Sequence, residues 1–260
     1  NLPHGPPLRQ AGVDVLGIGN AAFARFVGSV DVTTVVLQPG WTLTFDINNT
    51  VGQVVTVLAV AAIVNGAAGT FPAGGAGDTA QVRVNGGPIQ AIDLSAVGAG
   101  IAAYVAALNA QIAGVFVEDN AGQLRITTDR KGSSASVQFL NFGASFAAST
   151  GLAVGTVASL GPNNVANSDM VSFAEIKLMI EDAVKTVTPG DKVLATQSNA
   201  GLLVLTGTAG VAGPTSEIDL TSGTAGFIAA LGLGLLGTQG ANPVAVGTAS
   251  SAAASLRVKA

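Results

Sequence analysis

Apolar and polar positions begin to alternate at Trp41, where Leu43, Phe45 and Ile47 interleave with Thr42, Thr44 and Asp46. A period of two predicts a strand with one buried face. Asn48, Asn49 and Thr50 read as a turn, and 51–60 returns as the second arm of a hairpin. Residues 65–77 hold five glycines and a proline and are expected to be a flexible loop or boundary. A second hairpin follows, with Val82 and Val84 before Asn85-Gly86-Gly87 and a return through Ile89, Ile92 and Leu94. Asn-Gly is a strong hairpin signal because both turn positions need positive φ. Ile101, Tyr104, Val105, Leu108 and Ile112 then recur at helical spacing and predict one amphipathic helix. Strands are expected at 115–118, 123–127 and 135–140, with a turn at 119–122 and a polar loop at 129–134. A short alanine-rich helix near 144–150 ends at Gly151-Leu152.

The same order of signals then recurs. Ser172 and Glu175 form a capping box, in which hydroxyl and carboxylate satisfy free amides at a helix start. Phe173, Ile176, Ile180, Ala183 and Val184 supply the stripe of a helix of about 14 residues. Asn199, Ala200, Gly201, Leu203, Leu205 and Thr206 repeat Asn120, Ala121, Gly122, Leu124, Ile126 and Thr127 at an offset of 79, and Gly232-Leu233 repeats Gly151-Leu152 at 81. Two copies of one unit are therefore expected. The second lacks its own hairpin, since 161–171 is rich in Gly, Pro and Asn, and the hairpin at 41–60 lacks a following helix. A nested topology fills both gaps, with an inner module at 65–160 inserted into an outer one made of 41–64 plus 161–240. Simple tandem copies are the alternative. Residues 1–40 are taken as an N-terminal arm with entry strands, and 241–260 as a C-terminal tail. The fold class expected is α+β, β-rich with short amphipathic helices.

Composition changes the picture at the surface. Alanine (45) and glycine (35) fill 80 of 260 positions and the aromatic residues only 12, so the core must be built from small and branched aliphatics. Charged residues make up 10% of the chain, where an ordinary soluble domain has roughly 25%. With 48% apolar content and a net charge of −4, the chain is the opposite of a disordered one. Residues 47–77, 132–168 and 220–256 contain no Asp, Glu, Lys or Arg. Charge keeps free proteins apart, so uncharged surface on this scale predicts cover by neighbouring subunits. A mean hydropathy of +0.55 raises the question of a membrane, yet neither 54–64 nor 225–237 reaches the 20 or so apolar residues a spanning helix needs. A pI near 4.8 with scattered basic residues leaves no footprint for nucleic acid.

Candidate chemistry is sparse. Without cysteine there are no disulfides, thiolate metal sites or thiol catalysis. Gly17-Ile18-Gly19 after an apolar run, together with Gly75-Ala76-Gly77-Asp78, is similar to the elements that bracket a sugar-kinase active site. Under 60 residues separate the two here, against most of an α/β domain there. As a dinucleotide fingerprint the first motif also fails, because Ala22 stands where a third glycine belongs. His4, the one histidine, sits among Pro3, Pro6 and Pro7 in residues 1–12, which read as an extended arm rather than a signal peptide. No catalytic, cofactor-binding or metal-binding residues are expected. Pro3, His4, Pro6, Pro7, Arg9 and Trp41 are expected at an interface instead, the first five because an extended arm must lie on something else and Trp41 because aromatics anchor contacts.

Ile92-Asp93-Leu94-Ser95, the helix with Tyr104, Val105, Leu108 and Asn109, the strand Val115-Phe116-Val117, the run Asn120 to Thr128 and the Gly132 to Ser136 loop together resemble the flagellin hook IN motif. The resemblance covers about 60 residues of each copy. Relatives of that motif occur in hook-associated proteins and flagellins, with look-alikes in phage virion proteins. It implies an outward-facing α+β module in a self-assembling extracellular or virion structure. The chain lacks the long heptad-patterned helices with which flagellins polymerise. The expectation is therefore a structural virion protein of a tailed bacteriophage, a capsid decoration or tail component and not an enzyme. Its expected partners are itself and a major capsid or tail protein, with no cofactor, nucleic acid or membrane. Two alternatives stand beside it: a flagellar or other extracellular appendage protein, and a fibre or adhesin binding surfaces through its loops. Against the last, the loops 65–77, 129–134 and 207–215 offer only one aromatic, Phe71.

Overall fold

The computed structural model describes residues 25–47, 50–185, 193–207, 217–234 and 244–246. They fall into two compact units. One, inner in sequence, comprises 36–40 and 57–171; the other, outer in sequence, takes the described residues before 36, those from 41 to 56 and those from 172 on. All the strand pairs that build the two units' larger sheets are antiparallel.

In the outer unit β1 (Arg25–Asp31) is followed by β2 (Thr34–Val35), β3 (Thr42–Ile47) and β4 (Thr50–Thr56). In the inner unit come β5 (Ala61–Asn65), β6 (Thr79–Val84), β7 (Ile89–Asp93), α1 (Ile101–Gln111), β8 (Val115–Asn120), β9 (Gln123–Lys131), β10 (Ser136–Phe142), α2 (Phe146–Thr150) and β11 (Gly155–Ala158). β12 (Val171–Ser172) leads back to α3 (Phe173–Ala183), β13 (Val193–Gln197), β14 (Leu202–Gly207), β15 (Glu217–Gly223), α4 (Ala225–Leu231) and β16 (Val244–Val246). The inner unit has sheets of order β11-β10-β6-β7 and β5-β9-β8; the outer unit has β16-β15-β3-β4 and β1-β14-β13.

The hairpins follow from their turns. Asn85 and Gly86 take φ of 52° and 70°, and Ala121 and Gly122 take 55° and 82°, the doubly positive turn whose twist matches two paired strands. Alternation buries Val82 and Val84 from β6, Val137 and Phe139 from β10, and Leu124 and Ile126 from β9. Tyr104 and Leu108 of α1 close over them to complete the inner core, with Phe146 and Leu152. In the outer unit Leu43, Phe45 and Ile47 of β3, Ile176, Met179 and Ile180 of α3, and Leu203, Leu205, Ile218, Leu220 and Phe227 are all buried. The α3 capping box forms as the spacing predicts: the Glu175 amide donates to Ser172 Oγ at 3.4 Å and the Ser172 amide to Glu175 Oε2 at 2.8 Å.

The β-rich antiparallel architecture with few short helices is the one expected. Several details differ. The stretch at 65–77 is pinned rather than a flexible loop: Gly66, Ala67 and Phe71 amides donate to Leu124, Gly151 and Ser149 carbonyls, and Gly100 to Phe71 O. Phe71 lies 5.4 Å from Tyr104 in an edge-on contact, so one aromatic ties a glycine-rich segment to the core. The polar run at 129–134 does not begin as a loop, because β9 continues to Lys131 opposite Ala61. β5 supplies that partner, and its apolar run carries no strong periodicity to announce it. α3 has 11 residues rather than about 14, and α2 only 5, starting at Phe146.

Candidate functional site

Of the residues expected at an interface, Pro3, His4, Pro6, Pro7 and Arg9 lie outside the described residues. Trp41 is half-buried within the outer unit, its ring centroid 6.4 Å from that of Phe227. Gly226 lies beneath the indole, where a Cβ would come within 2.5 Å of the ring. The Thr224 amide donates to Thr42 O at 2.8 Å and the Thr42 amide to Thr224 Oγ1 at 3.1 Å, so the start of α4 is bound to the start of β3 beside this stack.

The Gly75 to Asp78 segment closes on itself. Asp78, 2% exposed, accepts from Ser149 Oγ at 2.8 Å and from the Gly75 amide at 2.9 Å. Burial pushes this carboxyl up, but hydrogen bonds from Ser149, Gly75 and Ser145 together outweigh it and hold it below the usual carboxylate range. Nearby, the Tyr104 hydroxyl donates to Pro72 O at 3.0 Å; burial, then the Asp78 charge, raise that phenol. The amide and hydroxyl that would serve an incoming anion are thus already taken by Asp78. Seventy-one residues separate Asp78 from Ser149, and no local pattern links them.

A second carboxylate pair lies in the outer unit. Asp46 of β3 and Asp219 of β15 stand directly opposite in the register. Asp46 Oδ1 accepts from the Gly52 amide at 2.8 Å, whereas Asp219 Oδ1 is buried without a hydrogen-bond partner. Burial first, and the Asp46 charge second, push the Asp219 carboxyl up. Among the described residues no three His, Asp or Glu side chains gather as metal ligands would.

Helix and strand are clamped in each unit by backbone recognition. In the inner unit Asn109 of α1 donates Nδ2 to Val117 O at 2.7 Å and accepts from the Val117 amide at 2.8 Å. In the outer unit Glu181 of α3 accepts from the Ala195 amide at 3.0 Å, while Lys177, paired with Glu181, donates to Ala195 O at 3.4 Å. Asn109 and Val117 both belong to the hook IN-like run.

The charge-free stretches surface as exposed strand. Val51 (72%) and Val54 (51%) lie on β4, Val154 (59%) and Leu160 (94%) flank β11. Beside β11 are two open grooves of about 380 and 650 Å³, the first lined by Ile63, Ala153, Val154 and Thr156 and holding no charged side chain. Phe71, the one aromatic in the loops that a sugar-binding surface would use, is only 9% exposed and engaged with Tyr104.

No family model matches the chain, and no curated protein is significantly similar to it in sequence. Among solved structures it is weakly similar to the D1-D2-D3 domains of the flagellar cap protein FliD from Escherichia coli, at 17% identity and a TM-score of 0.29, over 64% of this chain and 60% of that one. For the flagellar cap protein FliD from Helicobacter pylori the values are 12% and 0.23, over 85% and 61%. The chain spans about three fifths of the length of these proteins. Among the described residues no helix is long and apolar enough to cross a membrane.

Proposed function

We propose that this chain is a self-assembling structural subunit of an extracellular appendage of the flagellar kind, neither enzyme nor cofactor carrier. The observation that carries the reading is the exposure of Val51 and Val54 on β4 and of Val154 and Leu160 on either side of β11, all from charge-free stretches, apolar surface of the sort that a neighbouring subunit covers. The hook IN-like residues support the appendage, with Asn109 and Val117 holding α1 to β8 inside that run.

The reading includes a duplicated module. Strand for strand, β1, β3, β4, β13, β14, β15 and β16 correspond to β5, β6, β7, β8, β9, β10 and β11, with matching neighbours in both sheets. The helices α3 and α1, each of 11 residues, and α4 and α2 fall at the same points in that order. The inner copy would enter the outer one between β4 and α3.

A second reading, a tailed-phage capsid decoration or tail component, draws on helix length. No described helix exceeds 11 residues, too short for the heptad helices of a flagellin filament. Light scattering and electron microscopy of the purified full chain test assembly, and immunogold labelling of source cells and of phage particles separates the two settings. Ordered oligomers and labelled appendages are expected. A protein that stays monomeric at micromolar concentration and joins no particle would overturn both. Deleting residues 1–10 is expected to leave folding intact and weaken assembly, because contacts made only between subunits act by mass action.

A further inference from the structure

Alternation along three strands of the inner unit builds a polar face behind its core. Ala62 and Val64 of β5, Leu124 and Ile126 of β9 and Val117 of β8 are buried, so Ile63 and Asn65, Gln123 and Arg125, and Glu118 and Asn120 take the other face of the sheet. The register sets Asn65 opposite Arg125, Arg125 opposite Glu118 and Gln123 opposite Asn120. With Ala158 and Leu160 as a further wall, Ile63, Asn65, Asn120, Gln123 and Arg125 line the larger groove beside β11, about 650 Å³ and formed entirely by the inner unit. Ligand clefts in proteins measure about 300–1,000 Å³.

The polar groups of this groove are unspent. Asn85, Gln90, Asn109 and Gln111 of the same unit each engage backbone groups through their side-chain amides. Among the described residues, the side chains of Asn65, Asn120 and Gln123 bond to nothing. Arg125 has Glu118 beside it, but the carboxylate lies 3.6 Å from the guanidinium, beyond hydrogen-bond length, and both side chains are partly exposed. A pair of that kind contributes little. The Arg125 Nε is buried without a partner, so the root of the guanidinium is enclosed by protein while the side chain still lines the groove.

We propose that this groove binds an acidic sugar, a hydroxyl-bearing ring with a carboxylate, as one unit of a polysaccharide. The planar guanidinium of Arg125 matches a carboxylate with two parallel donors. Each of the three primary amides offers both donors and an acceptor, which is what a sugar hydroxyl needs from its surroundings. Ile63 and Leu160 face the C–H groups of the ring. A nucleic acid would require more than one cation, and a purely apolar ligand would bury the amides unpaired. The inference goes beyond the self-assembly reading and does not rest on it.

Calorimetric titration of the full chain with trigalacturonate and with a hyaluronan tetrasaccharide, whose acidic sugar is glucuronate, tests the site. Because Leu160 is also apolar surface that a neighbouring subunit would cover, light scattering on the same samples records whether the chain is dispersed or assembled. Saturable binding of at least one acidic oligosaccharide is expected, with neutral maltotriose and hydroxyl-free triglutamate both weaker by roughly tenfold or more. Arg125→Gln is expected to lower the affinity by roughly tenfold or more with an unchanged circular dichroism spectrum, and Asn65→Ala and Gln123→Ala to lower it several-fold each. Glu118→Gln, which removes the competing carboxylate, is expected to tighten binding; a merely structural Arg125–Glu118 pair would make both variants lose affinity alike. Failure of both acidic probes in the dispersed and the assembled chain, equal binding of maltotriose or triglutamate, or an Arg125→Gln chain that binds like the wild type would each overturn the site and leave self-assembly standing.

Discussion

Asp46 and Asp219 stand opposite each other because the register of β3 and β15 puts them there, and Asp219 Oδ1 is buried without a hydrogen-bond partner. Like charges directly opposite on a sheet are destabilising. The folded-state carboxyl of Asp219 titrates above its ordinary value, so the native state binds that proton more tightly than the unfolded chain does. Its favourable contribution is full below about pH 4 and is lost as the pH rises through the folded value. Asp219→Asn is therefore expected to stabilise the protein by about 0.5–1 kcal/mol at pH 7, with the gain vanishing toward pH 3; thermal melts across that range measure it. Asp78 has the opposite sign. Its carboxyl titrates below the ordinary value, so its stabilisation is present above about pH 4 and disappears as the pH falls through the folded value. Asp78→Ala leaves the Ser149 hydroxyl and Gly75 amide without their acceptor, and is expected to cost about 1–3 kcal/mol at pH 7 and less in acid. A penalty that stays constant with pH would show that the carboxylate charge is not what holds the segment.

At the scale of elements, local signals and long-range contacts divide the work. The α3 capping box is visible as Ser172 and Glu175 in sequence and forms as such, so Ser172→Ala should lower stability by about 0.5–2 kcal/mol in chemical denaturation. Asn109 is different in kind. Its amide reads both backbone groups of Val117, and Asn109→Leu would leave a buried strand residue's N–H and C=O unpaired, at an expected cost of about 1–3 kcal/mol. Gly201 shows how one element constrains another: it stands at a φ of 79° where a Cβ would come within 2.2 Å of the Asp31 carboxylate, so the turn into β14 accepts no side chain.

At the scale of the whole molecule, the inner unit carries a core that runs from Val64 to Leu152 entirely within its own residues. Its chain ends come together, since the Leu58 amide donates to Asn164 Oδ1 at 2.8 Å and the Asn164 amide to Leu58 O at 3.0 Å. Such ends suit a segment that folds by itself. Residues 57–171 expressed alone are expected to give a cooperative thermal transition, with some stability lost because buried Leu37 is missing. A fragment with no cooperative melt would show that the units need one another.

The hairpin at 79–93, the helix at 101–111, the capping box and the left-handed ends at Gly151 and Gly232 were all legible in the sequence, because turn chemistry and periodicity act over a few neighbouring residues. The internal likeness between Asn120 to Thr127 and Asn199 to Thr206 was legible for the same reason, and both runs form a turn into a strand. What only the tertiary structure decided are the pairings across distance: β5 beside β9, Ser149 upon Asp78, Asp219 against Asp46, Phe71 drawn from a glycine-rich stretch into the core. Each joins residues tens to hundreds of positions apart, through register and burial that no local window contains.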